Sequence, residues 1–356
     1  MKNDTVDMGR IAALDHSQMF QKIQSFPDHL AEGWSLADSA RMPDASRYQN
    51  IVFSGMGGSA IAGDIISALT CSTITVPMII NRNYTIPDWV DGNTLFFASS
   101  YSGNTEETVS ALADAGKKGA SIICMSAGGT VGRIAEDKGY PLIFLPPGFP
   151  PRAALGYSLG ALLRLFSGTG LLSLDERRFN EGVNAIRSKG KEWQHPEAAE
   201  NTTIQIARAI HGRIPVIYVS ADRLMPVGLR WKTQINENAK QHAFLCPYPE
   251  MNHNEIMGWE TNAHTKSMNQ SMVVLVLTDK EDHSQIQKRM IITNRIIKDQ
   301  NVTVREIPAV GDDMVEKIAG LIHMGDWISF YLGILNDVDP TEIRSILYLK
   351  EALSSV

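Results

Sequence analysis

The chain is 356 residues long, enough for about two domains at roughly 100–200 residues each. Its composition is 44% hydrophobic and 20% charged with 28 Gly and 16 Pro, which excludes a disordered or fibrous protein. A net charge of −6 argues against a general nucleic-acid binder, which would be basic, yet leaves room for a small anion held by local donors.

The opening MKNDTVDMGRIAALDHSQ is polar and lacks the apolar core of a signal peptide. No apolar run reaches the ~20 residues that cross a bilayer. Three scattered cysteines, Cys71, Cys124 and Cys246, imply neither a disulfide framework nor a metal knuckle. The expected compartment is the cytoplasm.

Residues 1–45 read as a helical lead-in with Ile11, Leu14, Met19, Phe20 and Ile23 apolar. Five strand-like runs follow: NIVFSGMGG (50–58), VPMIIN (76–81), TLFFASS (94–100), ASIICMSA (120–127) and PLIFLP (141–146). Helical stretches such as EETVSALADAGKKG lie between most of them, so the strands need crossovers and form a parallel sheet. Their near-continuous apolar character fits a sheet covered on both faces. RAALGYSLGALLRLF, after Pro151, is apolar around most of a helix, hence deeply buried or at a subunit interface. Residues 170–200 are charge-rich and read as a connecting helix. Strand texture resumes at 213–220, 242–249, 271–279 and 301–309. The fold expected is α/β: two doubly wound parallel sheets flanked by helices, with helical extensions at both ends.

GMGGSAIAGD (55–64) follows a strand and opens a helix, and matches the dinucleotide fingerprint loosely through Gly55, Gly57 and Ala60. The second strand ends in Asn81, Arg82 and Asn83, without the acid that would hold a ribose. NAD is therefore disfavoured, and NADP stays open because Arg82 could meet a 2′-phosphate. A second loop, FASSYSGNTEET (97–108), stands at the end of another strand. In a parallel sheet both loops open at the carboxyl edge, where ligands bind. Ser100, Ser102 and Thr105 offer neutral hydroxyl donors, Gly103 admits a close backbone approach, and the helix N-terminus suits phosphate. With no lysine, the loop suits a monophosphate on a small molecule better than a triphosphate. The bland alternative is a capping box on Asn104 or Thr105, with Glu107 or Thr108 reaching back.

These motifs, with PPRAALGY (150–157), NENAK (236–240) and NHNE (252–255), resemble a sugar isomerase (SIS) domain and, more narrowly, the bifunctional phosphoglucose/phosphomannose isomerase family. The resemblance implies two SIS domains, a homodimer, and metal-free aldose–ketose isomerisation of glucose and mannose 6-phosphates with fructose 6-phosphate, without a cofactor. The expected division is 1–168 for the N-terminal helix and first SIS domain, 169–200 for a helical connector, and 201–356 for the second SIS domain and C-terminal helix.

Isomerisation needs a base to carry a proton between C1 and C2, a partner for enediolate charge, and groups that open the ring. By resemblance Glu237 is the base; its bland alternative is a solvent-facing helix Glu paired with Lys240. Arg152 is expected in the first turn of the buried helix, where a cation opposes the dipole unless an anion is near, and the resemblance sets it against the enediolate. His253 titrates near neutrality and would shuttle the ring-oxygen proton, reaching the site from the partner subunit in the family. Metal ligation by His242, His253 and His264 is disfavoured by their wide spacing. Lys350 falls within the apolar stripe Ile343, Ile346, Leu347 and Leu353 of a last helix expected to start at Asp339. It reads as a snorkelling lysine or as a buried ring-opening ammonium. Gly57, Gly58 and Ser59 join Ser100, Ser102 and Thr105 as the phosphate and sugar contacts. A sugar-phosphate sensor and an NADP oxidoreductase are the competing functions.

Overall fold

The computed structural model describes residues 5–37 and 47–355. Residues 1–4 and 38–45 of the expected lead-in lie outside the described residues. The elements run α1 (Met8–Leu14), α2 (Met19–Gln24), α3 (Phe26–Leu36), β1 (Asn50–Gly55), α4 (Gly57–Thr70), β2 (Met78–Asn81), β3 (Thr94–Ser99) and α5 (Glu106–Lys117). β4 (Ser121–Ser126), α6 (Gly129–Lys138), β5 (Leu142–Phe144), α7 (Leu155–Gly168), α8 (Glu176–Trp193), α9 (Thr202–Ile210), β6 (Ile214–Ser220) and α10 (Met225–Ala239) follow. The chain ends with β7 (Phe244–Tyr248), α11 (Lys266–Gln270), β8 (Met272–Thr278), α12 (Ser284–Asp299), β9 (Thr303–Pro308), α13 (Met314–Leu335) and α14 (Arg344–Ser354). The nine strands among the described residues fall within the runs expected from sequence, trimmed by a few residues at their ends.

The contacts divide the chain into two compact units, one of Ser25–Ser188 with Gly311–Ala319 and one of Met1–Gln24, Lys189–Val310 and Gly320–Val356. The first holds a parallel sheet of order β2-β1-β3-β4-β5, the second a parallel sheet of order β7-β6-β8-β9.

In the first unit the two-residue period of a strand sorts side chains to opposite faces. Val52 and Phe96, in register, join Ala98, Ile122 and Cys124 beneath Ala111, Leu112 and Ala115 of α5 and Val131 and Ala135 of α6. Phe53 and Phe97, one residue on, stack toward α7 through Phe166. Gly63 of α4 lies so close to Phe53 that a Cβ there would sit 2.4 Å from its ring. Helices thus cover both faces, and each of these fully buried phenylalanines contributes about 1.5–3 kcal/mol. α7 is buried within its own unit, packed on α3 with backbones in contact. A Cβ on Gly160 would lie 2.1 Å from the Leu30 carbonyl oxygen, and one on Gly33 2.2 Å from that of Tyr157.

The second unit repeats the plan. Val216, Tyr218, Val274 and Val276 meet Met290 and Ile297 of α12 on one face. α10 covers the other, where Gly228 meets Val219 and Leu245. The α13 residues of this unit lie against α10: Trp231 Nε1 donates to the Leu321 carbonyl at 2.8 Å, and buried Arg230 makes a two-pronged pair with Asp326 at 3.0 Å on each arm. α13 corrects one expectation, since its 22 residues are long and apolar enough to cross a membrane. Its most apolar stretch is 89% buried in the folded chain and carries the paired Asp326, as a core helix does.

Candidate active site

The strand order of the first sheet reverses between β1 and β3, so the loops after these strands flank one crevice at its carboxyl edge. The first loop turns through Gly57, at φ +48°, into α4. Met56 stands at the N-cap without a capping side chain, and no acid lies in the first turn, so the helix end offers backbone N–H groups and an uncancelled dipole. The second loop is folded on itself and onto the first. Ser100 Oγ donates to Thr105 Oγ1 at 2.9 Å, Ser59 Oγ accepts from Tyr101 N at 3.1 Å, and Ser102 Oγ accepts from Asn104 N at 3.3 Å. Gly103, at φ +69°, is irreplaceable, because a Cβ there would meet the Gly128 carbonyl oxygen at 1.8 Å.

The capping-box alternative is not what forms. Thr105 occupies the N-cap of α5 but makes no side-chain cap bond, and Asn104 Oδ1 instead accepts from Thr130 N and Oγ1 at 3.0 Å each. Arg152 differs from expectation in position. It lies in a 3₁₀ turn (Pro151–Ala153) ahead of α7, buried to 3% exposure. That turn abuts the α4 terminus: a Cβ on Gly58 would lie 3.0 Å from Pro151 O and 3.2 Å from Arg152 Cα. Gly57, Gly58, Ser59, Ser100, Thr105 and Arg152 therefore converge within one unit, with Ser102 exposed at the rim.

The matching crevice of the second sheet, between β6 and β8, has the opposite character. Arg223 bridges Asp279 and Glu281 at 3.0 Å each, beside Asp282, whose carboxyl is raised by burial. These carboxylates repel a phosphate, so an anion is disfavoured in this second crevice. Arg82, left open for a 2′-phosphate, is bound to Asp64 of α4, which removes the basis of the NADP reading.

Glu237 stands near the end of α10, half-buried in the wall of a cavity of about 730 Å³. Its volume is that of a small-molecule site. His16, Asn236, Lys240, Asp339, Glu342 and Arg344 line the same space. Lys240 takes the left-handed conformation that ends α10, and its Nζ donates to the carbonyls of Glu237 at 2.8 Å and Asp339 at 2.6 Å. The flanking amides serve structure: Asn236 Nδ2 donates to Gln241 O at 2.7 Å and Asn238 Nδ2 to Ser329 Oγ at 3.0 Å.

His253 and Lys350 do not join this cavity. His253 is exposed at the end of a 3₁₀ turn (Glu250–His253), between Asn252, bonded to Thr293, and Asn254, bonded to Glu250. Lys350 is exposed on α14, and so are Ile346, Leu347 and Leu353 of its stripe. The buried ammonium is thus absent from the single chain. α14 also starts later than expected, at Arg344, while Asp339 Oδ1 accepts from Thr341 N in the preceding loop. Among the described residues no group of three His, Cys, Asp or Glu is placed to hold a metal ion. The sequence reading missed His16, which lies in a short loop between helices and carries no motif, and Tyr101, whose role depends on contacts distant in sequence.

Residues 199–353 match the family described as the bacterial phospho-glucose isomerase C-terminal SIS domain. A protein of Caldicellulosiruptor bescii named bifunctional phosphoglucose/phosphomannose isomerase is 36% identical over 341 residues, spanning 95% of this chain and 99% of that one. The chain belongs to the bifunctional phosphoglucose/phosphomannose isomerase family. One relative bears a different name: a D-glucosamine-6-phosphate 4-epimerase of Sulfolobus acidocaldarius is 33% identical, over 70% of this chain and 75% of its own. The isomerase fold is shared with a crystal structure of a hypothetical protein from Thermus thermophilus, at TM-score 0.74 and 15% identity, covering 98% of this chain and 92% of that one.

Proposed function

We propose that the protein interconverts glucose 6-phosphate and mannose 6-phosphate with fructose 6-phosphate through a shared enediolate. The observation that carries this reading is the end-to-end match to a bifunctional isomerase in a chain whose first sheet brings an uncapped helix terminus and a hydroxyl-rich loop to one crevice. In this reading the α4 terminus and the hydroxyls of Ser59, Ser100, Ser102 and Thr105 take the 6-phosphate. Glu237 carries the proton between C1 and C2, and Arg152 meets the charge that develops on the enediolate oxygens. His253 and Lys350 serve ring opening.

Both of these last groups are exposed in the single chain, and Leu347, Tyr348, Leu349 and Leu353 of α14 are 55–74% exposed. That supports a homodimer in which a second copy covers α14 and His253 acts across the interface. The cytoplasm is the compartment proposed. The epimerase relative supplies a second reading in which the substrate is an amino sugar phosphate.

The test is an end-point assay on fructose 6-phosphate and, separately, glucosamine 6-phosphate, both in excess EDTA. Formation of glucose and mannose 6-phosphates together is expected, and glucose 6-phosphate alone would restrict the proposal to one sugar. Turnover of glucosamine 6-phosphate without turnover of fructose 6-phosphate would move the chain to the second reading. Folded protein inactive on both would leave a sugar-phosphate binding protein.

A further inference from the structure

Arg152 sits in a segment, 146–154, that no strand holds, and its 3₁₀ turn is only three residues long. Side chains of other elements hold this segment alongside its packing on α4. The Tyr101 hydroxyl donates to Pro146 O at 2.7 Å and accepts from Phe149 N at 3.0 Å, satisfying both polar backbone groups at the start of the segment. The same residue donates its backbone N–H to Ser59 Oγ at 3.1 Å, and its carbonyl accepts from Ala127 N at 3.0 Å. One buried tyrosine therefore ties the α4 terminus, the hydroxyl loop and the arginine segment together.

The far end of the segment has its own tether. His29 of α3 is 5% exposed, stacks on Tyr157 at 4.3 Å and meets Phe149 edge-on at 5.0 Å. Burial holds its pKa down to about 4, so the ring is neutral and acts by packing rather than as a charge.

We infer that Tyr101 and His29 are positioning residues for Arg152, fixing the guanidinium against the cradle from opposite ends of its segment. The inference rests on the isomerase reading, in which Arg152 acts on the enediolate. Loosening either tether displaces the charge partner while the phosphate donors stay in place. A misplacement of about 1 Å in a catalytic group costs on the order of 100-fold in rate.

The experiment is a double-mutant cycle. Tyr101→Phe and His29→Leu, the latter removing the ring contacts, each with a near-wild-type circular dichroism spectrum, are expected to lower kcat on fructose 6-phosphate by about 10- to 100-fold. Their Kd for a hexitol 6-phosphate, which has no carbonyl to isomerise, should stay within about twofold of wild type. In an Arg152→Ala background neither change should lower kcat further, because each acts through the missing group. A full additional loss in that background, or full kcat in both single variants, overturns the inference. If Tyr101→Phe fails to fold, His29→Leu carries the same test alone. Inactivity of the wild type itself would instead refute the isomerase reading.

Discussion

At the scale of single residues, the decisive contrast is between Glu237 and the helix glutamates around the surface. Glu237 is half-buried and lines a cavity, whereas Glu106 and Glu181 are exposed. Glu237→Gln keeps the shape and removes the carboxylate proposed as the base, so kcat on fructose 6-phosphate should fall by about 10²- to 10⁴-fold with mannose and glucose 6-phosphate formation lost together. Loss of one product with retention of the other would show two separate bases. The sequence marked Glu237 only through a short motif, since nothing in its spacing separates a cavity glutamate from a solvent one. Arg152 was legible as a misplaced cation, but its burial and its 3₁₀ turn were not, because both depend on packing against Gly58.

At the scale of elements, glycine decides how near two helices come. α3 and α7 cross with Gly33, Gly156 and Gly160 between them, and a Cβ on Gly160 would overlap the Leu30 backbone, which has no rotamer to yield. Gly160→Ala should therefore destabilise the protein by about 1–3 kcal/mol, read as a lowered midpoint in urea unfolding with an unchanged slope. An unaltered midpoint would mean that the helices separate freely. The strands were legible almost to the residue because both faces are covered and their runs are apolar throughout. α14 was not, because Asp339 and Pro340 imitate a helix start while the Asp339 carboxylate closes a loop instead.

At the scale of the whole molecule, two buried histidines set a pH limit. His29 and His323 have pKa values lowered by burial to about 4 and about 3, below the 6.5 of an exposed imidazole. As pH falls the unfolded chain takes up the proton first. The stability present above pH 6.5 is then lost between 6.5 and about 4, at about 1.4 kcal/mol per pH unit for each histidine. Denaturant midpoints measured across that window should fall less steeply in His323→Gln than in wild type; parallel curves would refute the assignment. The exposed apolar face of α14 makes a prediction about assembly. Leu347→Asp with Leu349→Asp should convert a dimer to a monomer in analytical ultracentrifugation and abolish isomerisation, and a monomeric wild type would defeat the proposal.

By itself the sequence marked the two α/β sheets and the two glycine- and hydroxyl-rich loops, because apolar periodicity and glycine placement are local and act through backbone geometry, while the family was legible only through the resemblance of its motifs. The order of the strands, which puts the β1 and β3 loops on either side of one crevice, is decided only by pairing between distant segments. Tertiary contact likewise turned the second sheet's crevice acidic, occupied Arg82 with Asp64, and made Tyr101 and His29 the supports of Arg152. A side chain's partner across 40 or more residues depends on how the chain closes in space, and no run of neighbouring residues records it.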